Sequence, residues 1–260
     1  AANLRRDRKL AGKNDLVHGD LPYSPAFYAT VFGPHVAQMV LDRALALEDT
    51  ALALEAITAL SETAGAESLL SGEKPMIRAM YYPDRRVQYE SALTLASTLP
   101  KKPFTGSYRV VPLLASAVRS GGDLFAIVIG DDAEARREMA AFLNTNGWSV
   151  VGQGSSAAEA VDLAGVVPGI DLAVVLSRSS IQGTAIADEL ASLPKTTVTP
   201  TYVLTSGSDA QILANAIGNR DMIETSDSAV SDSAKLGVIE DLISKASGGR
   251  LSYEEQLSFS

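Results

Sequence analysis

Short runs of strand-forming apolar residues alternate with helical segments through the second half of the chain, after Gly121-Gly122. Five such units occur in succession, and repeated strand-helix units place successive strands side by side in the same direction. The predicted strands are LFAIVI (124 to 129), WSVVG (148 to 152), DLAVVLS (171 to 177), PTYVLT (200 to 205) and DMIET (221 to 225). The predicted helices span 133 to 145, 156 to 164, 184 to 193, 208 to 217 and 229 to 246. This pattern predicts an α/β domain with a doubly wound, five-stranded parallel sheet in the order 2-1-3-4-5.

The first half of the chain has helical periodicity throughout, and turn residues such as Gly65, Pro83 and Pro100 separate its segments. The predicted helical segments are 36 to 47, 50 to 65, 76 to 82, 85 to 99 and 108 to 120. We therefore expect an all-α region in front of the α/β domain. The predicted organisation is a polar arm at 1 to 22, helices at 23 to 120, the α/β domain at 121 to 248, and a tail at 249 to 260 in which a further helix could begin.

Composition narrows the class of protein. Of the 260 residues 46% are apolar, and the chain has two histidines and no cysteine, which excludes disulfides, thiolate nucleophiles and cysteine-ligated metals. The formal net charge of −9 disfavours nucleic-acid and anionic membrane partners. No run of about eighteen apolar residues occurs that could cross a membrane. We expect a cytoplasmic protein with a protein partner, whose identity and oligomeric state the sequence leaves open.

Two helical segments of the first half can be superimposed at an offset of 35 residues, which places Asp49 on Asp84. The offset aligns Leu52 with Val87, Ala56 with Ser91 and Leu60 with Leu95. The segment PDRRVQYESALTLAS, from Pro83 to Ser97, resembles the second helix of a HEAT-type repeat. The resemblance implies stacked helix pairs, each burying a face that one pair alone cannot cover.

The second half resembles a response-regulator receiver domain, which has a flavodoxin-like fold. The resemblance is carried by IVIGDDAEARREMAAFLNTNGWSVVGQGSSAAEAVDL (127 to 163) and by YVLTSGSDA (202 to 210). It implies two acids in the first loop that hold Mg²⁺, and a third acid at the end of strand three that accepts a phosphoryl group. It also implies a Thr or Ser on strand four and a lysine at the end of strand five, which stabilise the transferred group.

The receiver pocket is incomplete in this sequence. The corresponding positions are Gly130, Asp131, Asp132, Leu176, Ser177 and Thr205. The acid pair of the first loop falls on Gly130 and Asp131, strand three ends without an acid, and no lysine follows strand five until Lys235. Only Thr205 matches the pattern. We therefore expect a phosphorylation-incompetent pseudo-receiver with no catalytic residues, metal or cofactor.

Several polar clusters have both a structural and a functional interpretation. Asp131 and Asp132 could bind a divalent ion, although acids are also favoured at a helix N-terminus by the helix dipole. The run from Ser177 to Ser180 could hold an anion or could simply form a turn and a cap. An aromatic and basic cluster could pack between helices or form a docking edge for a protein. That cluster consists of Tyr81, Tyr82, Arg85, Arg86 and Tyr89.

Two hypotheses about function follow from these features. The first is a non-catalytic signalling or interaction scaffold, in which both halves present docking surfaces. The alternative is a regulator that binds a small ligand or nucleotide, or a hydrolase, acting at the carboxyl ends of the strands through Asp131, Asp132, Ser177 and Thr205. The alternative lacks a His, Cys or Lys placed as base, nucleophile or phosphate partner.

Overall fold

The computed structural model describes residues 31–70, 75–120, 122–218, 220 and 222–247. The chain divides into two compact units. The helical unit contains the described residues up to Tyr82 and those from Arg86 to Ser120. The α/β unit contains Pro83–Arg85 and the described residues from Gly122 onward. The predicted arm at 1 to 22 and tail at 249 to 260 lie outside the described residues. Among those described, no helix has the length and apolar character needed to cross a membrane.

The helical unit forms the five helical segments that the sequence predicts and one additional short helix, α3. Its helices are α1 (Pro34–Ala46), α2 (Thr50–Thr63), α3 (Ala66–Leu70), α4 (Pro75–Ala79), α5 (Arg85–Ser97) and α6 (Ser107–Ser120). Helix α1 begins at Pro34, where the missing N–H costs no intrahelical hydrogen bond. Helix α2 begins after Asp49, whose carboxylate accepts the N–H of Leu52 at 3.0 Å. An N-cap side chain therefore accounts for the start of α2.

The α/β unit confirms the predicted five-stranded sheet. Its strands are β1 (Leu124–Gly130), β2 (Trp148–Gly154), β3 (Leu172–Leu176), β4 (Thr201–Thr205) and β5 (Ile223–Asp227). Its helices are α7 (Ala133–Thr145), α8 (Ala157–Leu163), α9 (Ser180–Ser192), α10 (Ser208–Ile217) and α11 (Asp232–Ser247), with a short 3₁₀ helix at Ala164–Val166. All neighbouring strands are parallel, and the order is β2-β1-β3-β4-β5.

The interior strand β1 is buried at all seven positions and lies between two apolar clusters. Ala126 and Val128 point to the cluster that includes residues of α7 and α11, whereas Ile127 and Ile129 point to the cluster that includes residues of α8, α9 and α10. Alternation along one strand therefore supplies both cores, as a parallel sheet covered on both faces requires. The side chains of β1 are consequently apolar, and the polar candidate residues of this region lie beyond its carboxyl end.

Asp171 precedes β3 and lies at the edge of the sheet opposite to the predicted pocket. Its carboxylate accepts the Nε–H of Arg85 at 2.8 Å and the backbone N–H of Phe125 at 2.7 Å. The guanidinium of Arg85 also stacks over the Phe125 ring, 4.7 Å from its centroid. Burial raises the pKa of Asp171 to about 6, although Arg85 and the Phe125 N–H act in the opposite direction. This ion pair fixes Pro83–Arg85 within the α/β unit.

The raised pKa of Asp171 predicts a pH dependence of stability. The unfolded pKa is about 3.9, so between about pH 4 and pH 6 the native state binds more protons than the unfolded state at this carboxyl. Its contribution to the free energy of unfolding should therefore fall by roughly 3 kcal/mol as the pH rises through this window. Asp171→Asn is expected to flatten that slope. Urea unfolding followed by fluorescence of Trp148, the single tryptophan, measures it.

A matched control is Asp188→Asn, which removes an exposed carboxylate of the same unit that pairs with Arg220. Exposed ion pairs contribute little to stability, so this variant should retain the slope of the unsubstituted chain. Equal slopes for Asp171→Asn and the unsubstituted chain would contradict the assignment.

Candidate functional site

The candidate site lies where β1, β3 and β4 end, at the carboxyl edge of the sheet, as the sequence predicts. Asp131 and Asp132 follow β1 and are exposed. Asp132 is the N-cap of α7, and its Oδ1 accepts the N–H groups of Glu134 at 2.8 Å and Ala135 at 3.3 Å. These hydrogen bonds hold the pKa of Asp132 below its usual value, and the positive charges of Arg178 and Arg136 lower it further. The structural interpretation of Asp132 as a helix cap therefore describes what its carboxylate does.

Asp131 is bound by a residue that the sequence analysis did not single out. Its Oδ2 accepts the Nε2–H of Gln182 at 2.9 Å, and the Oε1 of Gln182 accepts the backbone N–H of Arg178 at 3.0 Å. One amide side chain on α9 therefore connects the loop after β1 to the loop after β3. No spacing rule within the sequence could have identified this contact, because it joins positions 51 residues apart.

Gly130 is the last residue of β1, and it stands at the position that the receiver resemblance assigns to the first acid. It lies beside Leu176 of β3 in the parallel register. A Cβ atom at Gly130 would meet both the Cβ and the carbonyl oxygen of Leu176 at 2.9 Å, which is too close for a side chain without a shift of the backbone. The carbonyl of Gly130 accepts a hydrogen bond from the guanidinium of Arg136, one turn into α7. A glycine at position 130 is therefore a steric requirement of the contact between β1 and β3.

Ser177 follows β3, at the position that the resemblance assigns to the phosphoacceptor. It is 9% exposed, and its hydroxyl donates to the carbonyl of Ser179 at 2.6 Å and accepts the Ser179 N–H at 3.3 Å. The Ser179 hydroxyl in turn caps α9 by accepting the N–H of Gln182 at 3.3 Å. Ser180 donates to the carboxylate of Asp209 at 3.3 Å. These hydroxyls are used in the turn and the cap, which favours the structural interpretation over an anion site.

Thr205 ends β4 and corresponds to the switch residue of the receiver resemblance. Its side chain is completely buried, and among the described residues its hydroxyl has no hydrogen-bond partner. Its backbone carbonyl accepts the N–H of Ser228 at 2.7 Å. Across the ladder, Asp227 ends β5 and accepts the N–H of Ala229 at 2.9 Å. An acid therefore stands at the end of β5, where the resemblance requires a lysine.

The donor set at this edge does not fit Mg²⁺. Octahedral magnesium requires oxygen ligands converging on one point, and receiver chemistry requires a third acid beside it. Here Asp132 caps a helix, Asp131 binds Gln182, and neither Gly130 nor Leu176 offers a side-chain oxygen. In the part of the chain that the structure describes, no group of three or more His, Cys, Asp or Glu side chains could hold a metal ion.

The structure buries four of the five residues of the aromatic and basic cluster, for which the sequence allows either packing or a docking edge. Tyr82, Arg85, Arg86 and Tyr89 are between 0% and 9% exposed, and only Tyr81 is half exposed. The Tyr82 hydroxyl pairs with Thr50 at 3.2 Å, and the Tyr89 hydroxyl pairs with Ser116 at 3.2 Å. Arg85 binds Asp171 within the α/β unit. The four buried residues fit the packing interpretation, and Tyr81 is the exposed member of this cluster.

Comparison of the sequence with models of protein families finds no match, and comparison with curated proteins finds none either. The assignment of the site therefore depends on the geometry of this chain.

The contact between Gly130 and Leu176 predicts the effect of adding a single methyl group. Gly130→Ala should lower the free energy of unfolding by about 1–3 kcal/mol, because the new Cβ overpacks the β1–β3 junction. Gly165→Ala is the matched control in the same unit, since no atom lies within 4 Å of the Cβ position at Gly165. Urea unfolding followed by Trp148 fluorescence compares the two variants. Equal stability of both would show that the junction accommodates a side chain.

Proposed function

We propose that this protein is a non-catalytic interaction scaffold of a signalling system. In this proposal the α/β unit is a pseudo-receiver that keeps the receiver architecture and has lost phosphoryl chemistry. The helical unit is a HEAT-like array that presents surface to a protein partner. The predicted cytoplasmic location belongs to the same proposal.

The main support for the proposal comes from the residues at the junction of β1 with β3. Formation of an acyl phosphate requires a carboxylate that attacks phosphorus, and at this edge β3 ends in Leu176 and Ser177. A metal-assisted reaction further requires acids that are free to coordinate, whereas Gly130 is held against Leu176 without space for a side chain. The end of β5 adds negative charge through Asp227 in place of the required cation. Each of these three differences from the receiver pattern would by itself impair phosphoryl transfer, and all three occur in this chain.

The HEAT-like assignment is supported by the burial of residues that the offset of 35 aligns. Leu52 and Val87 are 2% and 0% exposed, and the other two aligned pairs are also at most 1% exposed. Helices α2 and α5 therefore bury the same pattern of positions, as successive units of a repeat would. Stacked helix pairs offer an extended surface, which is typical of proteins that act by binding other proteins.

The alternative, a small-ligand or nucleotide regulator or a hydrolase, has less support from the same edge of the sheet. Its candidate groups are occupied or inaccessible: Asp132 caps α7, Ser177 bonds within its turn, and the Thr205 hydroxyl is completely buried. The described loops that follow β1, β3 and β4 contain no histidine, cysteine or lysine. We therefore retain the scaffold as the proposed function.

The scaffold proposal predicts that the protein does not accept a phosphoryl group. Incubation of the full chain with acetyl phosphate and Mg²⁺ should leave its intact mass unchanged, because no carboxylate stands at the end of β3. Beryllofluoride with Mg²⁺, which mimics a phosphorylated aspartate, should likewise leave the fluorescence of Trp148 unchanged. Intact-mass spectrometry and fluorescence titration make these measurements.

A receiver domain with its complete set of acids, treated in parallel, is the control for the reagents. A stable phosphoryl adduct on Asp131 or Asp132 would overturn the proposal. Peptide mapping of the adduct would identify the residue, and loss of the adduct in Asp131→Asn or Asp132→Asn would verify it.

A further inference from the structure

One stretch of the helical unit differs in charge from the rest of the chain. Between positions 91 and 122 there are four basic residues and no acidic residue, in a protein with 22 basic and 31 acidic residues overall. The four are Lys101, Lys102, Arg109 and Arg119. They fall in the connection between α5 and α6 and along α6 itself. This stretch therefore carries a net positive charge in a protein that is otherwise strongly negative.

Helix α6 has apolar residues on two opposite faces. Val110, Leu113 and Ala117 are buried in the helical unit. Tyr108 and Val111 are each 73% exposed, and Val118 is 56% exposed. Positions 108, 111 and 118 lie on one side of a helix, at the spacing of a stripe that normally faces another element. The second stripe is therefore largely exposed apolar surface of α6.

A groove adjoins this stripe. It has a volume of about 380 Å³ and is lined by residues of α5, of the connection that follows and of α6. Its apolar lining includes Leu95, Pro103, Phe104, Val110 and Val111. Lys101 and Lys102 also line it and are exposed. Val111 belongs to both the groove and the stripe, so the two form one continuous surface, which we call the α6 face.

One end of the α6 face is held in place before any partner binds. The hydroxyls of Tyr81 and Tyr108 lie 3.0 Å apart, and the guanidinium of Arg109 stacks over the Tyr81 ring at 4.3 Å from its centroid. The Nη2 of Arg109 donates to the carbonyl of Met80 at 3.0 Å. Aromatic residues and arginine are the usual anchors of interfaces, and fixing them beforehand lowers the entropic cost of binding.

We propose that the α6 face binds an amphipathic α-helix of a partner protein, one that carries acidic residues beside its apolar stripe. A helix laid into an apolar groove is a recurring mode of recognition, and Lys101 and Lys102 would pair with the flanking acids. Charge disfavours a second copy in a symmetric dimer, because the same two lysines of both copies would meet. The inference rests on the proposed scaffold role and identifies the chemistry of the partner.

The test uses a labelled synthetic helix of about 18 residues made of leucine, alanine and glutamate, with leucines at helical spacing. Two comparison peptides replace every glutamate by lysine or scramble the leucine positions. Fluorescence anisotropy with the full chain should show the acidic amphipathic helix binding at least about tenfold more tightly than either comparison peptide. Added salt should weaken that binding. Equal affinity for all three peptides, or no binding, would overturn the proposal.

Three variants locate the binding surface. Val111→Asp should weaken binding of the acidic helix by at least about tenfold, since it places a charge at the centre of the face. Lys101→Glu combined with Lys102→Glu should reverse the preference toward the lysine peptide. Val166→Asp, at an apolar position of the α/β unit that is 91% exposed, is the control and should bind as the unsubstituted chain does. Full binding by Val111→Asp would overturn the proposal.

Sedimentation of the full chain tests whether a second copy of the chain, and not a partner helix, binds the α6 face. A dimer that Val111→Asp dissociates would make the α6 face a self-association surface and overturn the proposal. The peptide assay requires no phosphoryl chemistry, so its failure is distinguishable from failure of the scaffold proposal. A chain that binds the acidic helix and also takes up phosphate would overturn only the pseudo-receiver assignment.

Discussion

The burial of both faces of the central sheet is the constraint on which the α/β unit depends. Strand β1 contributes alternate residues to two separate cores, so neither face of it can carry a polar side chain without loss of packing. In β1, polar and charged groups are therefore confined to the positions beyond its two ends. Asp171 stands at one edge of the sheet in an ion pair with Arg85, and the candidate site stands at the other. The candidate site is built from the few polar residues at that second edge.

Close packing of β1 against β3 also determines what that edge can hold. Gly130 and Leu176 approach so closely that a Cβ atom would meet the neighbouring backbone. The neighbouring strand β3 thus occupies the space that an acidic side chain at position 130 would need. The guanidinium of Arg136 donates a hydrogen bond to the backbone carbonyl of Gly130. Nearby, Gln182 links the two loops through Asp131. Direct hydrogen bonds connect the loops around this pocket, so its polar groups stabilise the fold.

Much of this could be predicted from the sequence, because periodicity and chain order reflect local rules. The five strands, their order and the absence of an acid at the end of β3 follow from apolar runs and from single residues. The steric need for Gly130 could not be foreseen, since it depends on the distance between two strands. The burial of Tyr89 and Arg86 could not be predicted either, because the sequence of an aromatic and basic cluster is the same whether its side chains are buried or exposed. Whether such side chains are buried depends on packing between residues that are far apart in the sequence.

Among the described residues, the carboxylates at this edge of the sheet are not arranged to hold Mg²⁺ for phosphoryl transfer. The most direct test is an NMR titration of the full chain with Mg²⁺, following the amide signals of Gly130, Asp131, Asp132 and Ser177. We expect no saturable shifts at these amides, because Asp132 caps a helix and Asp131 binds Gln182. Saturable shifts confined to these residues, and lost in Asp131→Asn, would contradict this expectation.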